Sequence, residues 1–118
     1  NNAGTKFWKL HGKNHREDGP AIITADGNEY WYLNGVPHRV DGPARVSSHS
    51  GKEWYLNGEL HREDGPAIER PEGLREWWLN GKELTRQEFN EFLKKKQLKQ
   101  EMSQQEDKMF DDDFLNEL

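Results

Sequence analysis

At 118 residues, with 31% hydrophobic and 33% charged side chains, the chain has material for one small domain with a thin core. Its formal net charge of −5 argues against general phosphate-backbone binding, which needs a basic face. With no Cys there are no disulfides, zinc–thiolate sites or thiol chemistry, which fits a reducing compartment and a cytoplasmic location.

Trp is heavily used, with five copies, and large aromatics bury much area each, so a core built around Trp is expected. Trp8, Trp31, Trp54 and Trp77 are spaced by 23 residues, as are Leu10, Leu33, Leu56 and Leu79, and Gly12, Gly35, Gly58 and Gly81. The segment His-Arg-x-Asp-Gly-Pro-Ala follows in three copies, at His15–Ala21, His38–Ala44 and His61–Ala67. A further glycine recurs at Gly4, Gly27 and Gly73, with Ser50 at the matching place and Gly51 beside it.

Each piece of this unit has a local reading. Glu29-Tyr30-Trp31-Tyr32-Leu33 is aromatic and alternating, which predicts a strand with Trp31 and Leu33 on one face. Asn34-Gly35 follows at once, and Asn-Gly is a strong hairpin signal because both central positions of a type I′ turn need positive φ. Asn57-Gly58 and Asn80-Gly81 repeat it, with His11-Gly12 as a weaker version. Asp-Gly-Pro predicts a second bend, since Pro has no N–H for a ladder. Ala21–Thr24 reads as the next strand, and Asp26-Gly27 turns into the following unit. The prediction is a mainly β fold: an elongated antiparallel sheet of four 23-residue β-hairpin repeats over residues 1–84, then a C-terminal α-helical cap and tail over 85–118.

The wording Trp-x-Leu-Asn-Gly followed by His-Arg-x-Asp-Gly-Pro-Ala resembles a variant of the MORN repeat, from Gly4 to about Leu84. The resemblance implies one β-hairpin per copy and a role as a scaffold or partner-binding surface. Arg-x-Asp-Gly-Pro stands where the standard pattern has Gly-x-Gly after the His. Repeats worded this way are similar to those of large DNA viruses and bacteriophages, which implies a viral origin and a host protein as partner. Lipid binding, proposed for some relatives of this pattern, sits poorly with the acidic balance, and no apolar run approaches the roughly 18–20 residues of a membrane span. No signal peptide is visible. The chain opens at Asn1 rather than Met, so its true N-terminus is expected to lie upstream or to have been processed.

After Gly81 the pattern breaks, with Leu84 and Thr85 where His and Arg are due. Thr85-Arg86-Gln87-Glu88 is a capping box, and Phe89, Phe92 and Leu93 supply an i, i+3, i+4 apolar face. A helix is predicted from Arg86 to about Gln105, with those three residues covering the open end of the sheet. Lys94, Lys95, Lys96 and Lys99 then read as a solvated face. The acidic end carries Met109, Phe110, Asp112, Asp113, Phe114, Leu115 and Leu118. If helical, Phe110, Phe114 and Leu118 share a face, the pattern of a peptide that lays a stripe into a groove. Asp-Asp-Asp-Phe-Leu also resembles, over fewer than ten residues, the sliding-clamp-binding ends of some phage transcription and replication factors.

Residues that invite catalysis have blander readings. His15, His38 and His61 are separated by two strands each, roughly 9–10 Å, too far to share a metal whose ligands sit at about 2 Å. Hydrogen bonding to the turn, such as His15 with Asp18, is expected instead. Asp18, Asp41 and Asp64 each belong to their own copy and form no carboxylate pair. His49, flanked by Ser47, Ser48 and Ser50, resembles no nucleophile elbow. No catalytic residue, metal site or cofactor is expected. The Trp ladder reads as a core stripe, which leaves Tyr32, Tyr55 and Trp78 on the opposite face as surface candidates. The chain is therefore read as a protein-binding module acting through that face or through the tail. The alternatives are a phage adaptor that ties a sliding clamp or polymerase to its last residues, and a structural protein that self-assembles through the exposed N-terminal sheet edge.

Overall fold

A computed structural model describes the backbone over residues 4–116, with side chains as far as residue 106. The chain divides into two compact units, Asn1–Thr85 and Arg86–Leu118.

The first unit is mainly β. Eight short strands form one antiparallel sheet in the order β1 (Lys6–Phe7), β4 (Ile22–Ile23), β5 (Glu29–Tyr30), β8 (Arg45–Ser47), β9 (Gly51–Glu53), β12 (Ile68–Glu69), β13 (Arg75–Leu79) and β14 (Lys82–Leu84). Three small hairpins accompany it: β2 (Lys9–Leu10) with β3 (Lys13–Asn14), β6 (Tyr32–Leu33) with β7 (Val36–Pro37), and β10 (Tyr55–Leu56) with β11 (Glu59–Leu60).

The single strand expected over Glu29–Leu33 is split at Trp31 because the backbone changes partner there. The Trp31 N–H donates across the large sheet to the Ala44 carbonyl at 2.6 Å, while its own carbonyl accepts from His38 N–H at 3.1 Å, inside its hairpin. Trp8 and Trp54 do the same with Ala21 and His15, and with Ala67 and His61. At Trp77 the strand runs unbroken, with Glu76 paired to Ile68 and Trp77 paired to Leu84.

Neighbouring hairpins are tied by main-chain bonds. Arg16 N–H donates to the Tyr32 carbonyl at 3.1 Å and Gly35 N–H to the Asn14 carbonyl at 2.9 Å; Arg39 with Tyr55 and Gly58 with Pro37, then Arg62 with Trp78 and Gly81 with Leu60, repeat this pair. The Asn-Gly turns have the geometry their residues favour. Asn34, Asn57 and Asn80 lie at φ 50–51°, followed by Gly35, Gly58 and Gly81 at 79–85°, and His11-Gly12 adopts the same turn at 52° and 77°.

Among the described residues, the side chains with no exposure at all are Ala21, Ala44 and Ala67, the last residues of the three His-to-Ala segments. The expected Trp core stripe is only half-buried. At Trp8, Trp31 and Trp54 the flanking strands are only two or three residues long, and an arginine covers the ring, as described below.

The second unit is the helix α1, Arg86–Asn116. It begins directly after Thr85 and has Glu88 in its first turn, favourable at the positive end of the helix dipole. It continues well past the expected end at Gln105, with no Gly or Pro to stop it. Phe89 is 2% exposed and its ring lies 6.0 Å from that of half-buried Phe92, while Leu93, Leu98 and Met102 are exposed. Among the described residues no helix is long and apolar enough to cross a membrane.

Candidate interaction surface

The three His-Arg-x-Asp-Gly-Pro-Ala segments close into the same clamp. The Arg16 guanidinium stacks 4.0 Å from the centroid of the Trp8 ring, Arg39 3.9 Å from Trp31 and Arg62 3.8 Å from Trp54. Each arginine also donates from Nε to the next Asp, at 3.3 Å to Asp18, 3.0 Å to Asp41 and 2.7 Å to Asp64. From Nη1 it donates to the carbonyl of Pro20, Pro43 or Pro66 at 3.0–3.2 Å. The glycine seals the far side. A Cβ at Gly19, Gly42 or Gly65 would meet the guanidinium carbon at 2.8–2.9 Å, and none of these three glycines has positive φ. The Asp-Gly-Pro glycine is thus required for space, because the cation is sandwiched between an indole and a bare Cα.

The histidines act between copies. Backbone N–H groups of Asn34, Asn57 and Asn80 donate to Nδ1 of His15, His38 and His61, each at 2.9 Å and each across 19 residues of sequence. A backbone N–H can only donate, so Nδ1 is unprotonated and the ring proton sits on Nε2. That nitrogen faces Glu63 at 3.2 Å in His61 and Glu17 at 3.7 Å in His15. The expected His15–Asp18 bond is not formed: Asp18 is taken by Arg16, and the histidine reaches the following Asn-Gly turn. Among the described residues no group of three His, Asp or Glu could hold a metal.

Two equivalent grooves lie where one loop faces the Trp of the next copy. The first, about 520 Å³, runs between Arg16–Asp18 and the side chains of Trp31, Leu33 and His38. The second, about 590 Å³, runs between Arg39–Pro43 and Trp54, Leu56 and His61. Val40 lines both and is 82% exposed, at the position Glu17 and Glu63 hold in the other copies. The arginines are drawn into their clamps, with 19–26% of each side chain exposed, while Asp18, Asp41 and Asp64 stand 82–90% exposed. The surface offered to a ligand is therefore acidic although the loops carry as many arginines as aspartates. The Arg39 hydrogen bond and charge hold the Asp41 carboxyl below the usual carboxylate range.

The opposite signal, Tyr32, Tyr55 and Trp78, lies beside the large sheet's cross-strand row and is already engaged with it. Cross-strand pairing aligns Phe7, Ile22, Tyr30, Arg45, Glu53, Ile68 and Glu76. Arg45 lies 5.6 Å from the Tyr30 ring centroid and 6.0 Å from that of Tyr55, and it donates to the Tyr32 hydroxyl at 3.5 Å. Tyr55 donates its hydroxyl proton to Glu53 at 3.2 Å, and Trp78 donates from Nε1 to Glu76 at 3.1 Å. Arg70 closes the cluster on Glu53 at 2.8 Å. Burial would lower the Arg45 pKa, but the two tyrosines and Glu53 together raise it, and burial followed by the nearby Glu53 charge raises that of Tyr55. Tyr32 and Tyr55 thus meet around one arginine, whereas Trp78 has its own partner.

Of the expected tail site, Met109, Phe110, Asp112, Asp113, Phe114, Leu115 and Leu118 have side chains outside the described residues. Sequence spacing alone could have pointed to the grooves through one signal, Val40 standing where the other two copies have Glu. No protein-family model matches the chain, and no curated protein or solved structure matches it.

Proposed function

We propose that the chain is a protein-interaction module built of four MORN-like hairpin repeats, with its binding surface on the loop side of the sheet. One observation carries this reading: the repeated His, Arg and Asp, the residues that could do chemistry, are spent on bonds within the scaffold, and the same architecture leaves two equivalent grooves flanking exposed Val40. Burying an exposed Val in a partner is favourable by about 1.5 kcal/mol or more, whereas leaving it in water serves no internal contact. The partner is a protein, of the host if the chain is viral, and no cofactor or metal is invoked.

Affinity capture from the lysate of the source cells tests this, using the full chain, Val40→Lys, and Phe110→Ala with Phe114→Ala. A protein held by the parent chain and lost with Val40→Lys supports the loop surface. Loss only with the double tail variant moves the site to the tail and favours the clamp or polymerase adaptor. Capture of no protein above a bead control refutes the interaction reading.

Self-assembly is the second reading, favoured by the exposure of Phe7 on edge strand β1. A mass by light scattering that stays at 13.9 kDa across a wide concentration range would rule it out.

A further inference from the structure

The two grooves are related by a fixed translation. Residues 23 apart, such as Tyr30 and Glu53, are separated by the single strand β8, so equivalent positions repeat every two strands. At about 4.7–4.9 Å per strand the grooves recur roughly every 9.4–9.8 Å, across the strand direction. A polyproline II helix repeats every three residues at about 3.1 Å each, or roughly 9.3 Å per turn. Its side chains at i and i+3 point the same way and would enter successive grooves. A β-strand places i and i+3 on opposite faces, and an α-helix returns to the same side about every 5.4 Å, so that one turn falls short of the groove spacing and two turns, about 10.8 Å, overshoot it.

The chemistry of the grooves selects among such peptides. Each groove is lined by a leucine and by an indole whose one face is taken by its clamped arginine, Leu33 with Trp31 and Leu56 with Trp54, and the apolar surface that remains suits proline rings. The rims are acidic, because Glu17, Asp18 and Asp41 are exposed while the arginines beside them are clamped inward. Val40 forms an apolar ridge between the two grooves, over which a ligand can cross without desolvating a charge.

We infer that the loop face binds a basic, proline-rich peptide in the polyproline II conformation, running across the strands with one turn per groove. This rests on the interaction-module reading and specifies its partner. The peptide is preformed, so little conformational entropy is lost on docking. Its cations meet the carboxylates at the rims, so binding weakens as salt rises.

Fluorescence polarisation with the full chain tests it. The probe is a fluorescein-labelled peptide of repeated Pro-Pro-Arg, compared with Gly-Ser-Arg and Pro-Pro-Glu repeats of equal length. Saturable binding of the Pro-Pro-Arg probe is expected, weaker by about tenfold or more for Gly-Ser-Arg and absent for Pro-Pro-Glu, by loss of preorganisation and of charge match. Val40→Lys and Glu17→Lys, both at exposed positions, should each weaken binding about tenfold or more with an unchanged circular dichroism spectrum. Equal binding of Gly-Ser-Arg, or insensitivity to Val40→Lys, overturns the inference. If no peptide binds but the lysate still yields a protein lost with Val40→Lys, the peptide assignment fails and the interaction reading stands. If neither occurs, both fail.

Discussion

Replacing Gly42 by Ala isolates the arginine sandwich from every other role of glycine. Gly42 does not lie at positive φ, so the substitution brings no left-handed strain, and on chain entropy alone it would stabilise by about 0.4–1 kcal/mol. The added Cβ, however, would sit 2.9 Å from the Arg39 guanidinium carbon and 3.1 Å from Nε. The guanidinium must retreat, giving up its stacking on Trp31 and its bonds to Asp41 and the Pro43 carbonyl. Stacking of a partly exposed cation contributes about 0.5–2 kcal/mol. A charge-assisted bond to a part-buried carbonyl adds about 1.5 kcal/mol, and the pair with exposed Asp41, screened by solvent, adds little. The guanidinium keeps part of this elsewhere, so Gly42→Ala should cost about 1–2 kcal/mol net. In an Arg39→Ala background nothing is left to displace, and the same change should stabilise by about 0.5 kcal/mol. The double-mutant cycle in urea, followed by Trp fluorescence, should therefore show a coupling near 2 kcal/mol. An equal effect of Gly42→Ala in both backgrounds would refute the sandwich. Gly35→Ala is the contrast: with φ at 83° it should destabilise whatever stands at Arg39.

The other expectations are simpler. His38→Phe keeps an aromatic ring but removes the Nδ1 acceptor of the Asn57 N–H, so urea unfolding should show a loss of about 0.5–1.5 kcal/mol, while His38→Asn should recover part of it. Asp41 has its carboxyl pKa lowered in the fold by Arg39, so its contribution is present above the unfolded carboxylate range and lost as pH falls through the folded value. Asp41→Asn should accordingly flatten the acid limb of a stability-versus-pH profile below about pH 4, read by thermal melts, and an unchanged limb would count against the ion pair. His11 occupies the left-handed position that Asn holds in the other three turns, and His11→Asn should raise stability by a few tenths of a kcal/mol, about 0.5 at most.

Much of the local structure was legible because its causes are local. Asn-Gly demands positive φ at both residues wherever it occurs, so the turns at Asn34, Asn57 and Asn80 needed no knowledge of their surroundings. The alternation in Glu29–Leu33 marked a strand, and the break at Trp31 escaped because it reflects a change of ladder partner, which a side-chain pattern does not encode. The apolar periodicity that marks α1 thins after Lys94, whereas the helix itself runs on where neither Gly nor Pro breaks it.

The class of the fold, mainly β with a C-terminal helix, and the 23-residue recurrence of its positions are written in the amino-acid order alone. Spacing says that His15, His38 and His61 play one part; it cannot say which neighbour each one touches. That each histidine Nδ1 accepts from the Asn N–H of the next turn along the sheet, 19 residues on, and that Gly42 is kept small by a cation, follows from the folded chain alone. The tertiary structure likewise decided that a groove opens between one loop and the Trp of the next. These are contacts between segments far apart in the chain, and they exist only once strand pairing has brought those segments to within a few ångströms of each other.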